Sequence, residues 1–294
     1  MIGWVRSQMY EAFYKLRMRP FLTVPDPDFL YWSEAHTLAI TMLRYGLMTR
    51  APITVVTGDI GSGKTTLLRQ LMREIPQELV LGLVSNMQAD RGSLLQWVMM
   101  ALGQGVSDEP YIHLFQRFQD YVIEAYGAGK RVVLIFDEAQ NLTVDTLEEL
   151  RMLSNINADK DELLQLVLVG QPQLRELLGR PELVQFSQRI SADFHLTTLS
   201  PAEVQNYIDH RLSMAEASWR IFPARTCALI HEATGGVPRL VNILCDLCLI
   251  YGFSADKRVI DEGLLREFLA SAHKRGIYTQ FSPLSDTLKL VQEG

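Results

Sequence analysis

Three cysteines in 294 residues, Cys227, Cys245 and Cys248, are too few for a disulfide framework. No apolar run approaches the roughly 20 residues that a membrane-spanning helix needs. The longest candidate, residues 240–250, is interrupted by Asn242 and Asp246. Positive charge is scarce as well: 28 Lys and Arg face 34 Asp and Glu, giving a formal net charge of −6. The chain therefore lacks the broad basic surface on which non-specific nucleic-acid binding draws, and only a local patch could serve. His36, His113, His195, His210, His231 and His273 form no metal-ligand spacing, and no Ser/His/Asp arrangement accompanies a nucleophile motif. Cys245 and Cys248 have CxxC spacing, but inside an apolar helical pattern with no second pair, which reads as buried thiols. Without a leader or a disulfide set, the expected setting is the cytoplasm, free or peripheral at the inner membrane through a partner.

What is present is ample apolar content, 48%, for one large domain or two smaller ones. The chain is organised around residues 53–66. The β-branched run Ile53-Thr54-Val55-Val56-Thr57 leads to Gly58-Asp59-Ile60-Gly61-Ser62-Gly63-Lys64-Thr65-Thr66, and Leu67, Leu68 and Leu71 continue with helical spacing. Strand, glycine-rich loop and helix are the context a P-loop requires. Glycines 58, 61 and 63 let successive backbone N–H groups turn inward around phosphate oxygens at a helix N-terminus. Lys64 is placed to reach the β- and γ-phosphates of ATP, and Thr65 to put its hydroxyl on Mg²⁺.

Around this stretch the pattern alternates. Residues 1–20 carry Arg6, Lys15, Arg17 and Arg19 with Trp4, Tyr10, Phe13 and Tyr14, a short basic amphipathic helix that either meets phosphates or docks on the domain. Pro20, Pro25 and Pro27 break it, and Ser33 caps a helix running to Leu47. Strands are expected at 79–84, 131–136, 163–170 and 193–199, and helices at 94–102, 114–126 and 147–156. Short helices follow Pro172 and Pro181. This is an α/β three-layer sandwich with a parallel central sheet and its ligand site at the C-terminal strand ends. From Ser200-Pro201-Ala202-Glu203, a strong helix start, only helices follow: 201–216, 223–233, 238–251 and 261–274. The expected division is 1–50, N-terminal helices and a proline-rich loop packing on the ATPase core; 51–199, the P-loop α/β domain; 200–275, a helical lid; and 276–294, a loose or partner-bound tail.

The apolar run Val132-Val133-Leu134-Ile135-Phe136 ends in Asp137-Glu138. Asp137 at a strand end can hold Mg²⁺ directly or through water, and Glu138 can polarise the attacking water. Phosphoryl transfer gives a protein little covalent work, so positioned charge supplies most of the catalysis. Gln171 follows the next strand and either senses the γ-phosphate or serves as a turn residue before Pro172. Gln140-Asn141 either relay the nucleotide state to the following helix or are loop amides. Arg239, in Gly235-Gly236-Val237-Pro238-Arg239, is placed to fold back onto the nucleotide of its own subunit. Arg189 is placed to act in trans as an arginine finger, with Arg180 the runner-up. A surface salt bridge is the alternative for each arginine.

These motifs, together with Met9-Tyr10, Arg19-Pro20-Phe21, Pro25-Asp26-Pro27, Phe29-Leu30-Tyr31, Asp137-Glu138-Ala139-Gln140-Asn141-Leu142 and Val169-Gly170-Gln171-Pro172, resemble the AAA+ ATPases of the ExeA, or general secretion pathway protein A, type over about residues 9–272. The similarity is closest to stand-alone members linked to exopolysaccharide export and exosortase systems. It implies an ATP- and Mg²⁺-dependent motor or assembly switch, working as a homo-oligomeric ring or filament for an envelope secretion or export complex. Secretion members often continue into a transmembrane helix and a peptidoglycan-binding region, which this sequence does not show. Residues 1–8 precede the usual Met-Tyr start. The same core resembles transposition regulators that coat DNA, so an ATP-dependent DNA-binding regulator is the alternative, with Arg17 and Arg19 as its candidate contacts.

Overall fold

The computed structural model describes residues 9–24, 26–85, 87, 92–105, 109–158, 161–274 and 279–284. The expectations for residues 1–8, for Pro25 and for most of the tail after Gly276 lie outside the described residues. The chain divides into two compact units.

The α/β unit, Glu34–Ile60 and Lys64–Thr197, is built on a five-stranded sheet of order β2-β3-β6-β1-β7. The strands are β1 (Ile53–Gly58), β2 (Leu79–Ser85), β3 (Arg131–Asp137), β6 (Leu164–Gly170) and β7 (Ile190–Leu196), all paired in parallel. Parallel sheets are covered on both faces, which explains the continuous apolar runs. Alternate residues sort to opposite cores. Val132, Leu134, Phe136, Leu166 and Leu168 join one, with α4 (Leu94–Ala101), α5 (Tyr111–Gly127) and α6 (Val144–Leu153). Val133, Ile135, Val167 and Val169 join the other, with α2 (Glu34–Met48) and α3 (Lys64–Arg73). A short antiparallel pair, β4 (Asn157–Ala158) and β5 (Asp161–Glu162), precedes β6 and was not expected. After β6 come α7 (Gln173–Leu178) and α8 (Val184–Ser187).

The helical unit contains α9 (Pro201–Met214), α10 (Ala224–Thr234), α11 (Pro238–Ser254) and α12 (Glu262–Lys274). Ser200 caps α9 in a full capping box with Glu203. Gly61–Gly63 group with this unit, where the Arg239 N–H donates to the Gly61 carbonyl at 3.1 Å.

Within the expected N-terminal piece, 1–50, the described residues up to Ser33 group with the helical unit and those from Glu34 with the α/β unit. The second half of the piece, α2, joins the sheet. Tyr10, Tyr14, Leu16 and Phe21 are buried in the core of the helical unit with Tyr207, Phe222 and Leu249. Among the described residues of the expected amphipathic helix, α1 (Glu11–Tyr14) forms and stops at Lys15 in left-handed backbone, φ 53°. Aromatic side chains that face a ready apolar surface do not need a long helix to be buried. Arg211, itself buried, donates to the Leu22 carbonyl at 2.8 Å and lies 4.8 Å over the Phe29 ring, so the segment after α1 is held to the same unit.

Candidate functional site

Parallel register brings the ends of β3, β6 and β1 side by side. Thr57 pairs with Gly170, and Phe136 with Leu168, so Gly58, Asp137 and Gln171 emerge along one edge of the sheet. This is the C-terminal edge, where open α/β sheets hold ligands.

The loop after β1 rises into α3, whose first residue is Lys64. Gly61 and Gly63 have φ of 82° and 104°, which side chains resist, and a Cβ on Gly61 would stand 2.5 Å from that of Arg239. Lys64 is buried, and its Nζ donates to the carbonyls of Gly58 at 2.7 Å and Asp59 at 2.8 Å. An ammonium has three donors, so a third remains for a phosphate oxygen. Burial pulls the Lys64 pKa down, while the charges of Glu138, Asp137 and Asp59 act the other way. Asp59 and Ile60 are exposed at the loop tip, Ser62 is buried, and Thr65 and Thr66 are half-buried in the first turn of α3.

The Thr65 hydroxyl donates to Oδ2 of Asp137 at 3.3 Å. Burial raises the Asp137 pKa and the Glu138 charge adds to it; the Glu138 N–H, the Thr65 hydroxyl and Lys64 oppose them. One hydroxyl and one carboxylate facing each other fit Mg²⁺, which usually takes one or two carboxylates and completes its shell with water and substrate phosphates. Among the described residues no group of three or more His, Cys, Asp or Glu is arranged to hold an ion.

Glu138 leaves the strand in left-handed backbone, φ 57° and ψ 39°. Its Oε2 accepts from Gln140 Nε2 at 2.6 Å and from Gln171 Nε2 at 3.1 Å. The Gln171 N–H in turn donates to Gln140 Oε1 at 2.9 Å. Glu138 and Gln171, placed here by sequence reasoning, thus meet directly and are also bridged by Gln140. Sequence reasoning named Gln140 but not this bridge, because it depends on the β3–β6 register. A cleft of about 430 Å³ opens beside Gln140, lined by Leu142, Thr143, Val144, Leu177 and Arg180.

Arg189 is not gathered with these groups. Arg189 precedes the first residue of β7, and Ile190 pairs with Ile53 at the start of β1. It therefore stands at the opposite edge of the sheet, about 20 Å away along the seven residues of β7. There its guanidinium donates to Ser154 Oγ at 2.5 Å and to the Arg151 carbonyl at 3.4 Å, at the C-terminus of α6. Arg180 is exposed after α7, and Arg239 is exposed in the first turn of α11. Arg17 and Arg19, the candidate DNA contacts, pair with Glu216 and Asp246, each at 2.6 Å. The three cysteines are buried thiols, and burial pushes Cys227 up to about 12. No helix among the described residues is long and apolar enough to cross a membrane.

An AAA domain family matches residues 47–178. General secretion pathway protein A of Aeromonas hydrophila is 37% identical over 256 residues, 87% of this chain and 47% of that protein, so the chain spans about half the length of this relative. Among solved structures, Cdc6p of Pyrobaculum aerophilum matches with a TM-score of 0.64 at 14% identity, over 86% of this chain and 72% of the other. The ORC2 protein of Aeropyrum pernix, in ADPNP and ADP complexes, matches with a TM-score of 0.57 at 17% identity, over 86% and 68%. At those identities the structural likeness speaks to the fold alone.

Proposed function

We propose that this chain, an AAA+ P-loop protein of the general secretion pathway protein A type, binds ATP with Mg²⁺, hydrolyses it, and works as an oligomeric motor or assembly switch for a cell-envelope secretion or polysaccharide export system. The observation that carries the hydrolytic part is the convergence, on one sheet edge, of Lys64, the Thr65–Asp137 pair and Glu138. Lys64 and the loop N–H groups bind the phosphates. Thr65 and Asp137 hold Mg²⁺, which when bound neutralises charge developing on the phosphate oxygens. Glu138 takes the proton of the attacking water, and Gln171 orients that water against the γ-phosphate. Arg239 serves the nucleotide of its own subunit, its backbone already bonded to Gly61.

Arg189 supports assembly as part of the reaction. At the far edge of the sheet it is out of reach of its own P-loop, so a nucleotide it touches must belong to a neighbour in a ring or filament. The secretion or export assignment rests on the relative's name. An inner-membrane location would follow from such a partner.

The experiment is ATP turnover and nucleotide binding by Glu138→Gln. Hydrolysis should fall about 10²- to 10⁴-fold while ATP remains bound. Turnover at the wild-type rate would remove Glu138 from the mechanism.

A further inference from the structure

The amide of Gln140 is engaged at both ends, donating to Glu138 Oε2 and accepting the Gln171 backbone N–H. The chain around it is shaped to allow this. A Cβ on Gly170 would lie 2.9 Å from Gln140 Oε1 and 3.0 Å from Leu174 Cδ2, so glycine keeps the space in which the amide sits. Glu138 holds a left-handed backbone conformation, which a non-glycine residue keeps only where its surroundings fix it.

We propose that Gln140 is the positioning residue for Glu138: its amide ties the end of β3 to the turn after β6 and fixes which carboxylate oxygen is left for water. The inference rests on Glu138 as the base of the proposed hydrolysis and goes further by separating the two glutamines. To read a γ-phosphate, the Gln171 side chain must release Glu138 Oε2. Gln140 need not move, because its oxygen is anchored on a backbone N–H. Once Gln171 turns to the phosphate, Gln140 alone holds Oε2, and Oε1 remains for the water. Gln140 touches neither substrate nor water and acts only through Glu138. An error of about 1 Å in such a group costs on the order of 10²-fold in rate.

The test compares wild type, Glu138→Gln, Gln140→Ala and Gln140→Glu, measuring kcat and KM for ATP with Mg²⁺ between about pH 5.5 and 8.5, and affinity for a fluorescent ATP analogue. Gln140→Ala should lower kcat about 10- to 100-fold with KM and affinity within about twofold. Gln140→Glu should be as slow at the alkaline end and recover as the pH falls. The introduced carboxyl, beside the Glu138 charge, takes up a proton at raised pKa and then donates it as the amide did. A merely structural role for Gln140 would not produce that recovery. Wild-type kcat in both Gln140 variants, with Glu138→Gln inactive, would overturn the inference and leave the site reading standing. So would a loss of affinity and stability with kcat unchanged. Wild-type hydrolysis by Glu138→Gln would overturn both.

Discussion

The two edges of the five-stranded sheet both carry polar side chains beside buried strands, and they use them in opposite ways. At the edge where the strands begin, Gln165 is buried and every part of its amide is engaged. Its Nε2 donates to the carbonyls of Gly46 at 3.1 Å and Ala51 at 3.2 Å, and its Oε1 accepts from Arg131 at 3.2 Å. Arg131 also donates to the Leu47 carbonyl at 3.0 Å. The network is closed, it pins the end of α2 to the sheet, and it leaves nothing for a ligand. At the edge where the strands end, Lys64 keeps a donor in reserve, and Thr65 holds Asp137 only at 3.3 Å. Those contacts can be exchanged for phosphate and metal at small cost. Closed polar networks serve stability, and open ones serve binding.

Arg189 is the residue that could break this division, since it lies at the closed edge yet is assigned a reaction. If it were a fastener like Arg131, Arg189→Ala would cost stability and leave turnover intact. The account predicts the reverse: turnover falls about 10³- to 10⁵-fold, the typical value of an arginine finger, with little change in melting temperature. Mixed with wild type, the variant subunits should depress turnover by more than dilution. Stability measurements with a mixing titration decide between the two.

Asp137 sharpens the comparison from the electrostatic side. Its folded-state pKa is raised, chiefly by burial, above the ordinary 3.8. A carboxyl that binds its proton more tightly when folded favours folding below its unfolded pKa and loses that contribution as the pH rises through the folded value. At neutral pH the carboxylate is therefore held at a cost to the fold. Asp137→Asn should be more stable than wild type toward denaturant at neutral pH, with the difference shrinking below pH 3.8. It should also lose Mg²⁺-dependent turnover. Equal stability at both pH values would mean that the open edge carries no electrostatic cost.

Much of this was legible in the chain because it is local. The P-loop is a strand, a turn and a helix start within 14 residues, and the run into Asp137-Glu138 shows its double-sided burial by having no polar alternation. The Ser200 capping box marked α9 for the same reason. What was not legible depended on partners far along the chain. The last strand was expected over 193–199 but spans Ile190–Leu196, because its ends are set by pairing with β1. The N–H of Leu199 instead bonds the Gly236 carbonyl. Likewise the aromatic spacing of Tyr10 and Tyr14 announced burial without saying in which core. Gln140 was visible as a polar residue after the strand, whereas its two-ended bond needed the register of β3 against β6.

The division between closed and open edges is tested most directly by measuring denaturant stability and ATP affinity on Lys64→Ala and Gln165→Leu side by side. Gln165→Leu strands two backbone carbonyls and part of a guanidinium, and should lose about 2–3 kcal/mol of stability with ATP affinity unchanged in the folded protein. Lys64→Ala should lose ATP binding on the order of 10²-fold or more and cost less stability than Gln165→Leu, since release of a buried ammonium offsets the Gly58 and Asp59 carbonyls it leaves unbonded. A Lys64→Ala protein that destabilised as much as Gln165→Leu while still binding ATP normally would contradict the account.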